Sequence, residues 1–296
     1  MKRPIIICLG ILLNAGLLFA QAIQKKVQLN LSTGYQQQDL KWSIAGNQAG
    51  QNPNIYSELQ WKKVGGQLIA GELQWNFYKK LSLTAGFSHV YIGSGTVSDN
   101  DYNGDNRTNR VYSELFNADK GFTRSWSAGV GYMIFNTQNF SLIPYAGYGT
   151  NKQSLFLLDR SGDFPDLNST YNTDWKGPFL KATATAKLAA RLKLTADITY
   201  NQADYKSKAD WNLIQTFQHP VSYRHTAKGY GITANAGLGY AISRNIGMHL
   251  SGGYFSWQTG KGVDELFLAS GGSEKTQLNG VDHSGYRVAL GVELGY

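Results

Sequence analysis

The chain closes on "VALGVELGY", Val288 to Tyr296, and the reading of this stretch decides the fold. Successive side chains of a β-strand point to opposite faces. Val288, Leu290, Val292, Leu294 and Tyr296 therefore share one face, and Ala289, Gly291, Glu293 and Gly295 the other. The same period recurs upstream. "LTADITY" sets Leu194, Ala196, Ile198 and Tyr200 against Thr195, Asp197 and Thr199. "ITANAGLGYAI" sets Ile232, Ala234, Ala236, Leu238, Tyr240 and Ile242 against Thr233, Asn235, Gly237, Gly239 and Ala241. No stretch beyond the N-terminal residues has a comparable helical period.

A water-soluble sandwich would alternate too, so alternation alone leaves the class open. Three further features separate the two. The apolar face carries aromatics near segment ends, such as Trp75, Phe77 and Tyr240, as an interfacial girdle would. The opposite face is Gly, Ser, Thr, Asn and occasional charge, which suits a wet lumen better than a second packed sheet. The last alternating segment ends on an aromatic, the usual ending of bacterial outer-membrane barrels. Composition agrees: glycine supplies 34 of 296 residues, above the usual 7% or so, and aromatics abound although the mean hydropathy is negative.

Residues 1–22, "MKRPIIICLGILLNAGLLFAQA", read as a secretory signal. Lys2 and Arg3 charge the front, Ile5 to Phe19 is largely apolar, and Ala20-Gln21-Ala22 offers a cleavage site. Cys8 is the one cysteine, so a mature chain cut after Ala22 has neither disulfides nor thiolate metal sites. Too few residues precede Cys8 for a lipoprotein signal. The formal charge of +8 includes the two signal positives. The remaining excess suits anionic lipid headgroups. Nucleic-acid binding is excluded by secretion and by the lack of a basic block interleaved with aromatics.

Turn signals alternate between short and long. Short ones lie near Tyr78-Lys80, Asn136-Asn139, Ala189-Arg191 and Ser243-Asn245; long polar ones near Ser43-Asn54, Asp99-Arg110, Asp159-Thr170, Trp211-Ser222 and Gly260-Gly280. Four short and five long connections join ten strands. Residues 23–296 are thus expected to form one all-β, transmembrane, antiparallel up-and-down barrel, with long loops extracellular and both termini periplasmic. Segments of roughly 16 to 20 residues exceed the roughly 9–11 needed to cross a bilayer, so the barrel should stand above the membrane.

Against this frame, "YSELQWKK", "AGELQWNFYKKLSLTAG" and "GSGTVSDNDY" resemble the second and third strands of the omptin family of ten-stranded outer-membrane endopeptidases. "YAGYGTNKQS", "KGPFLKATA" and "SYRHTAKGYGITANAGLGY" resemble later omptin strands, so the likeness runs in order along nearly the whole mature chain. The resemblance implies peptide hydrolysis in an extracellular groove. An Asp pair forms one wall and an Asp-His dyad the other; the dyad polarises the attacking water. Asp99 and Asp101 match the pair, and residues at i and i+2 of a strand face one way. Asp210 matches the orienting carboxylate. Asn212 stands where the dyad His should be, and losing a general base costs about 10²–10⁴-fold in rate. Lys208 replaces an acidic residue that selects basic substrates, so preference for basic sites is not expected. His219 and His225 are the candidate substitutes for the base, which requires the loop to fold back over the groove; otherwise both are solvated loop residues.

The resemblance also implies lipopolysaccharide contact on the outer wall. Tyr148 and Lys152 match two such positions and Lys228 approaches a third, whereas a family Arg falls close to Asp174. Asp99, Asp101 and Asp105 fail the calcium-loop pattern because the twelfth position is Arg110, so no metal and no cofactor is expected. Two function classes result: an endopeptidase using Asp99, Asp101 and Asp210, or a catalytically silent barrel that binds partners at the cell surface. A passive pore is a third class; inward residues such as Glu72, Lys181, Lys187, Lys193 and Asp197 can fill the lumen with ion pairs. A Ser-His-acid lipid deacylase finds no convincing pair. The expected state is a monomer.

Overall fold

A computed structural model describes residues 25–296; the secretory signal assigned to 1–22 lies outside the described residues. The strand segments run antiparallel to their neighbours and close on themselves. We label the ring β1 (Val27–Ile44), β2 (Ser57–Tyr78), β3 (Leu81–Gly104), β4 (Thr108–Asn117 and Gly121–Tyr132), β5 (Phe140–Leu158), β6 (Asn168–Lys187), β7 (Leu192–Asp210), β8 (Tyr223–Ala241), β9 (Ile246–Thr259 and Gly262–Phe267) and β10 (Ser273–Gly295). Phe135–Asn136 continues β4 against β5. Pairing of β1 with β10, from Gln28 opposite Gly295 to Ile44 opposite Leu278, seals the ring. Closure leaves no edge strand, and it satisfies the backbone where no water can.

The four short turns fall where the sequence puts them, at the end that carries both termini. Two of the five long connections differ from expectation. The Asp99-Arg110 segment is not a loop: β3 continues through Gly104, in ladder with β2 as far as Asp101 and with β4 to its end, and only Asp105–Arg107 turns. Asn106, Arg107 and Asn109 there take positive φ. Likewise Gly260-Gly280 folds as a paired extension of β9 and β10, turning between Phe267 and Ser273. Polar residues hide strand character at a rim that has no lipid face to make them alternate.

Above the membrane band the polarity of the wall inverts. On β7, Leu194, Ile198 and Tyr200 face out among the lipid-side residues, while Lys193, Thr195 and Asp197 face in. Higher on the same strand Asp204, Lys206 and Lys208 face out, and Ala203, Tyr205 and Ala209 are buried inside. On β10 the outward apolar run from Tyr286 to Tyr296 rises about 25 Å at about 3.3 Å per residue and about 40° tilt, the height of an outer-membrane apolar band. Below the inversion the lumen is a polar cavity of about 930 Å³. Above it, Leu40, Trp42, Leu59, Trp61, Tyr171, Trp175, Tyr205 and Tyr223 pack into one apolar plug. The lumen is therefore wet only in its lower part.

One bulge sets the sidedness of β3. Below it, Ser82, Thr84, Val90 and Ile92 are the buried, inward residues; above it, Val97 and Asp99 are. The parity changes because the adjacent Gly65 and Gly66 pair with Ser94 and Ile92, which leaves Gly93 as an extra residue on β3; just above, Lys63 and Val64 oppose Gly95 alone, so β2 changes face as well. Gly95 has φ +140°, and a Cβ there would lie 2.8 Å from a Val64 methyl carbon. Gly95→Ala should cost about 1–3 kcal/mol, whereas Gly93→Ala, with nothing within 4 Å of its Cβ, should be near neutral. Urea unfolding of the refolded barrel measures both; equal effects would contradict the close approach and positive φ that constrain Gly95.

Candidate active site and outer rim

The bulge turns Asp99 and Asp101 toward the barrel interior. Glu114 pairs with Asp99, and Tyr112 with Asp101, across the β3–β4 ladder. Asp99 is 9% exposed, and its Oδ1 has no hydrogen-bond partner among the described residues. Burial, and then the charge of Asp101, push its carboxyl up to about 8. Burial also raises Asp101, against a hydrogen bond with Ser57 that lowers it. Tyr112 beside them is pushed up to about 12 by burial and then by Asp99, Glu114 and Asp101. The pair thus matches the i, i+2 expectation, with Asp99 enclosed and held toward its protonated form. Asp105 lies apart at the hairpin tip, where its Oδ1 accepts from the Asn54 amide at 2.7 Å. Glu58 fixes that tip by accepting from Arg107 at 2.9 and 2.8 Å and from the Tyr102 hydroxyl at 3.1 Å.

Asp210 and His219 do meet: His219 Nδ1 lies 2.6 Å from Asp210 Oδ1, and both are partly exposed. The pleat of β7 decides which way they face. Ala209 and Trp211 pack into or against the plug, so Asp210 between them shares the outward face with Lys206 and Lys208. Asn212 is consumed as a loop clamp. Its Oδ1 accepts from Asn168 N and Ser169 Oγ, both at 3.0 Å, and its Nδ2 donates to the Asp166 carbonyl at 2.9 Å.

Inside, a different histidine faces the acid pair. His225 on β8 is fully buried, with Nδ1 2.8 Å from the Tyr171 hydroxyl, itself 2.6 Å from that of Tyr205. Its Nε2 lies 3.1 Å from Asp264 Oδ1, within ion-pair range though out of line for a hydrogen bond. Thr276 donates to the other Asp264 oxygen at 3.0 Å. Tyr223, two residues before His225, sits between the groups: burial raises its hydroxyl well above the ordinary range, and the charges of Asp99 and Asp264 raise it further. Asp264 escaped the sequence reading because it lies in the segment taken as a loop. The signal was present, since "VDE" continues the β9 alternation and puts Asp264 opposite His225.

On the outer wall, Tyr148 and Lys152 both face outward on β5, Tyr148 at the upper edge of the apolar band. Lys228 faces outward on β8, three strands away and so on the order of 14 Å around the wall. Asp174, outward on β6, is the register partner of Lys152. Arg124 was missed by the sequence reading. It pairs with Lys152 in register, and its Nε donates to His89 Nδ1 at 3.2 Å. Trp126 stands outward two residues below it.

An acid whose pKa rises on folding keeps its proton in the folded state after the unfolded chain has lost it. Asp99 therefore subtracts stability as pH climbs from near its ordinary 3.8 to about 8, by about 1.4 kcal/mol per pH unit, and nothing more beyond. Asp99→Asn should raise the urea midpoint at pH 8 and leave it nearly unchanged at pH 4. A shift of equal size at both pH values would show that Asp99 is not held protonated.

A family model described as "Pom: Protochlamydia outer membrane protein" matches residues 30–296. No curated protein matches the sequence. Among solved structures, the outer membrane protease OmpT from Escherichia coli superposes with a TM-score of 0.73 at 15% identity, covering 91% of this chain and 96% of that one. The outer membrane protein OprG from Pseudomonas aeruginosa covers 92% of this chain and 98% of its own, with a TM-score of 0.39 and 14% identity. The chain belongs to the Protochlamydia outer membrane protein family and has an omptin-like outer-membrane barrel fold.

Proposed function

We propose that this member of the Protochlamydia outer membrane protein family is a non-hydrolytic surface barrel, one that keeps the omptin-like frame and binds partners at its extracellular rim. The observation that carries this reading is one of sidedness. Asp99 and Asp101 face the interior, Asp210 and His219 face outward, and the plug fills the space between the walls. A water held by the Asp210–His219 pair has the wall between it and the acid pair. The wall itself is oriented with its loops outside the cell and both termini in the periplasm, and the barrel acts as a monomer.

A second reading, endopeptidase activity, draws support from His225 and Asp264. They face the acid pair from the opposite wall, as the chemistry requires, and Asp99, Asp101, His225 and Asp264 would form the centre once the rim opened. Full burial of His225 sets this reading second.

Refolded protein with lipopolysaccharide and a mixed peptide library separates the two. We expect no cleavage above an Asp99→Ala, Asp101→Ala control. Cleavage that His225→Ala abolishes would establish the second reading, and cleavage that His219→Ala abolishes would place the dyad at Asp210; either result ends the first.

The outer wall takes lipopolysaccharide through Arg124, Lys152 and Lys228, with Tyr148 and Trp126 against the acyl region. At about 1 kcal/mol per basic residue near an anionic surface, Arg124→Ala and Lys152→Ala should each weaken lipopolysaccharide binding about fivefold. Unchanged affinity in the double substitution would remove the outer-wall lipid site.

A further inference from the structure

The lumen at the end carrying the termini holds more positive than negative charge, and its excess sits in one place. Seven lysine and arginine side chains line the cavity against three carboxylates, an excess of four (7 − 3) before His249 is counted. The three carboxylates are already engaged. Glu72 meets Lys181 at 2.6 Å, Glu293 meets Lys193 at 2.6 Å, and Asp197 accepts from Asn235, whose Oδ1 in turn takes Arg287 at 2.8 Å. Lys25, Lys187, Arg191 and Arg244 remain, and among the described residues none has a carboxylate partner.

Three of these, Lys187, Arg191 and Arg244, are gathered by the ladder and the turns, and Lys25 lines the same cavity from the start of β1. Lys187 is the register partner of Lys193, and both face inward, so two like charges stand directly opposite and, among the described residues, only Lys193 has a carboxylate partner. Such a pair is unfavourable unless an anion bridges it. Arg191 lies in the adjoining turn, and its carbonyl accepts from Ala241 N at 2.8 Å, tying it to the turn that carries Arg244. Deeper in the same cavity, Asn30 Oδ1, Thr183 Oγ1 and His249 Nδ1 are enclosed polar atoms with no hydrogen-bond partner among the described residues. The plug closes the cavity above, so the four cations flank its open end, at the turns. The volume of about 930 Å³ is that of a small-molecule site.

We infer that this mouth is a binding site for a small, multiply charged soluble anion bearing phosphate or carboxylate groups, entering from the side of the termini. On the proposed orientation that side is the periplasm. The site is independent of the rim and of any hydrolysis there. Lipid phosphates lie outside the wall and would meet the outward lysines, whereas Lys187, Lys193 and their neighbours point into the lumen.

Calorimetric titration of the refolded full chain in a neutral detergent with sodium tripolyphosphate tests the inference. Saturable binding is expected, weakened at least tenfold in Lys187→Gln and in Arg244→Gln and reduced by raised salt, while Lys261→Gln at the opposite end leaves it unchanged. Arg244→Gln, in an exposed turn, covers the case in which Lys187→Gln fails to refold. No saturable heat, or equal affinity in all three variants, would overturn the site. Loss of tripolyphosphate binding when phosphatidylglycerol is added to the micelles would assign the mouth to lipid headgroups and overturn the soluble ligand.

Discussion

Backbone closure is the constraint on which everything else here rests. Inside a bilayer an unpaired amide costs several kcal/mol, so a sheet can cross only as a ring. The β1–β10 ladder completes that ring without a break from Gln28 to Ser43. Once it is closed, each strand has two faces with fixed assignments. Every functional side chain in this molecule is then a question of parity: odd or even, lumen or lipid.

Parity interacts with height. In the membrane band the solvent is lipid outside and water inside, so apolar residues face out and Lys193, Asp197 and Thr195 face in. Above the band both sides would be wet, and the chain buries its apolar residues in the only place left, the interior. The plug of Trp42, Trp61, Tyr171, Trp175 and Tyr205 is the result. It divides the lumen into a dry upper part, where Asp99 keeps its proton, and a wet lower part, where lysines and arginines outnumber carboxylates. The two parts have opposite electrostatic character because one excludes water and the other does not.

The sequence displayed the membrane half plainly and the rim half poorly. "VALGVELGY", "LTADITY" and "ITANAGLGYAI" alternate because lipid on one side punishes every polar residue, so strands, count and turns could be read directly. Above the band that penalty is gone. Asp99 to Gly104 and Gly262 to Phe267 are paired in ladders, the first with a register shift at Tyr102, yet their Asn, Asp and Gly content reads as loop. The inversion was nonetheless written in β7, where outward Tyr200 gives way to Asp204, Lys206 and Lys208 while inward Asp197 gives way to Tyr205. His219 against Asp210 could be anticipated as a residue pair but not as a direction, since direction depends on parity counted through the whole strand. The His225–Asp264 couple depended on a pairing between β8 and β9 more than 35 residues apart in the chain, which no local pattern reveals.

Parity also puts the Asp99–Asp101 pair and the Asp210–His219 pair on opposite sides of the wall within an omptin-like frame. β3 carries an extra residue at Gly93, so its side chains change face before the rim and Asp99 turns inward. β7 carries none: its register with β8 runs unbroken from Leu192 opposite Tyr240 to Ala209 opposite Tyr223. Asp210 therefore keeps the outward face of Leu194 and Ile198, and the histidine that joins it comes from a loop on that same side. A single extra residue in β7 above Tyr200 would reverse everything beyond it, bringing Asp210 to the face of Asp99 and expelling Tyr205 and Ala209 from the plug. The plug and a two-walled catalytic groove thus compete for the same pleat. In this chain the apolar interior has taken it, and the buried aromatic rings hold the upper barrel in the arrangement that keeps the two carboxylate sites apart.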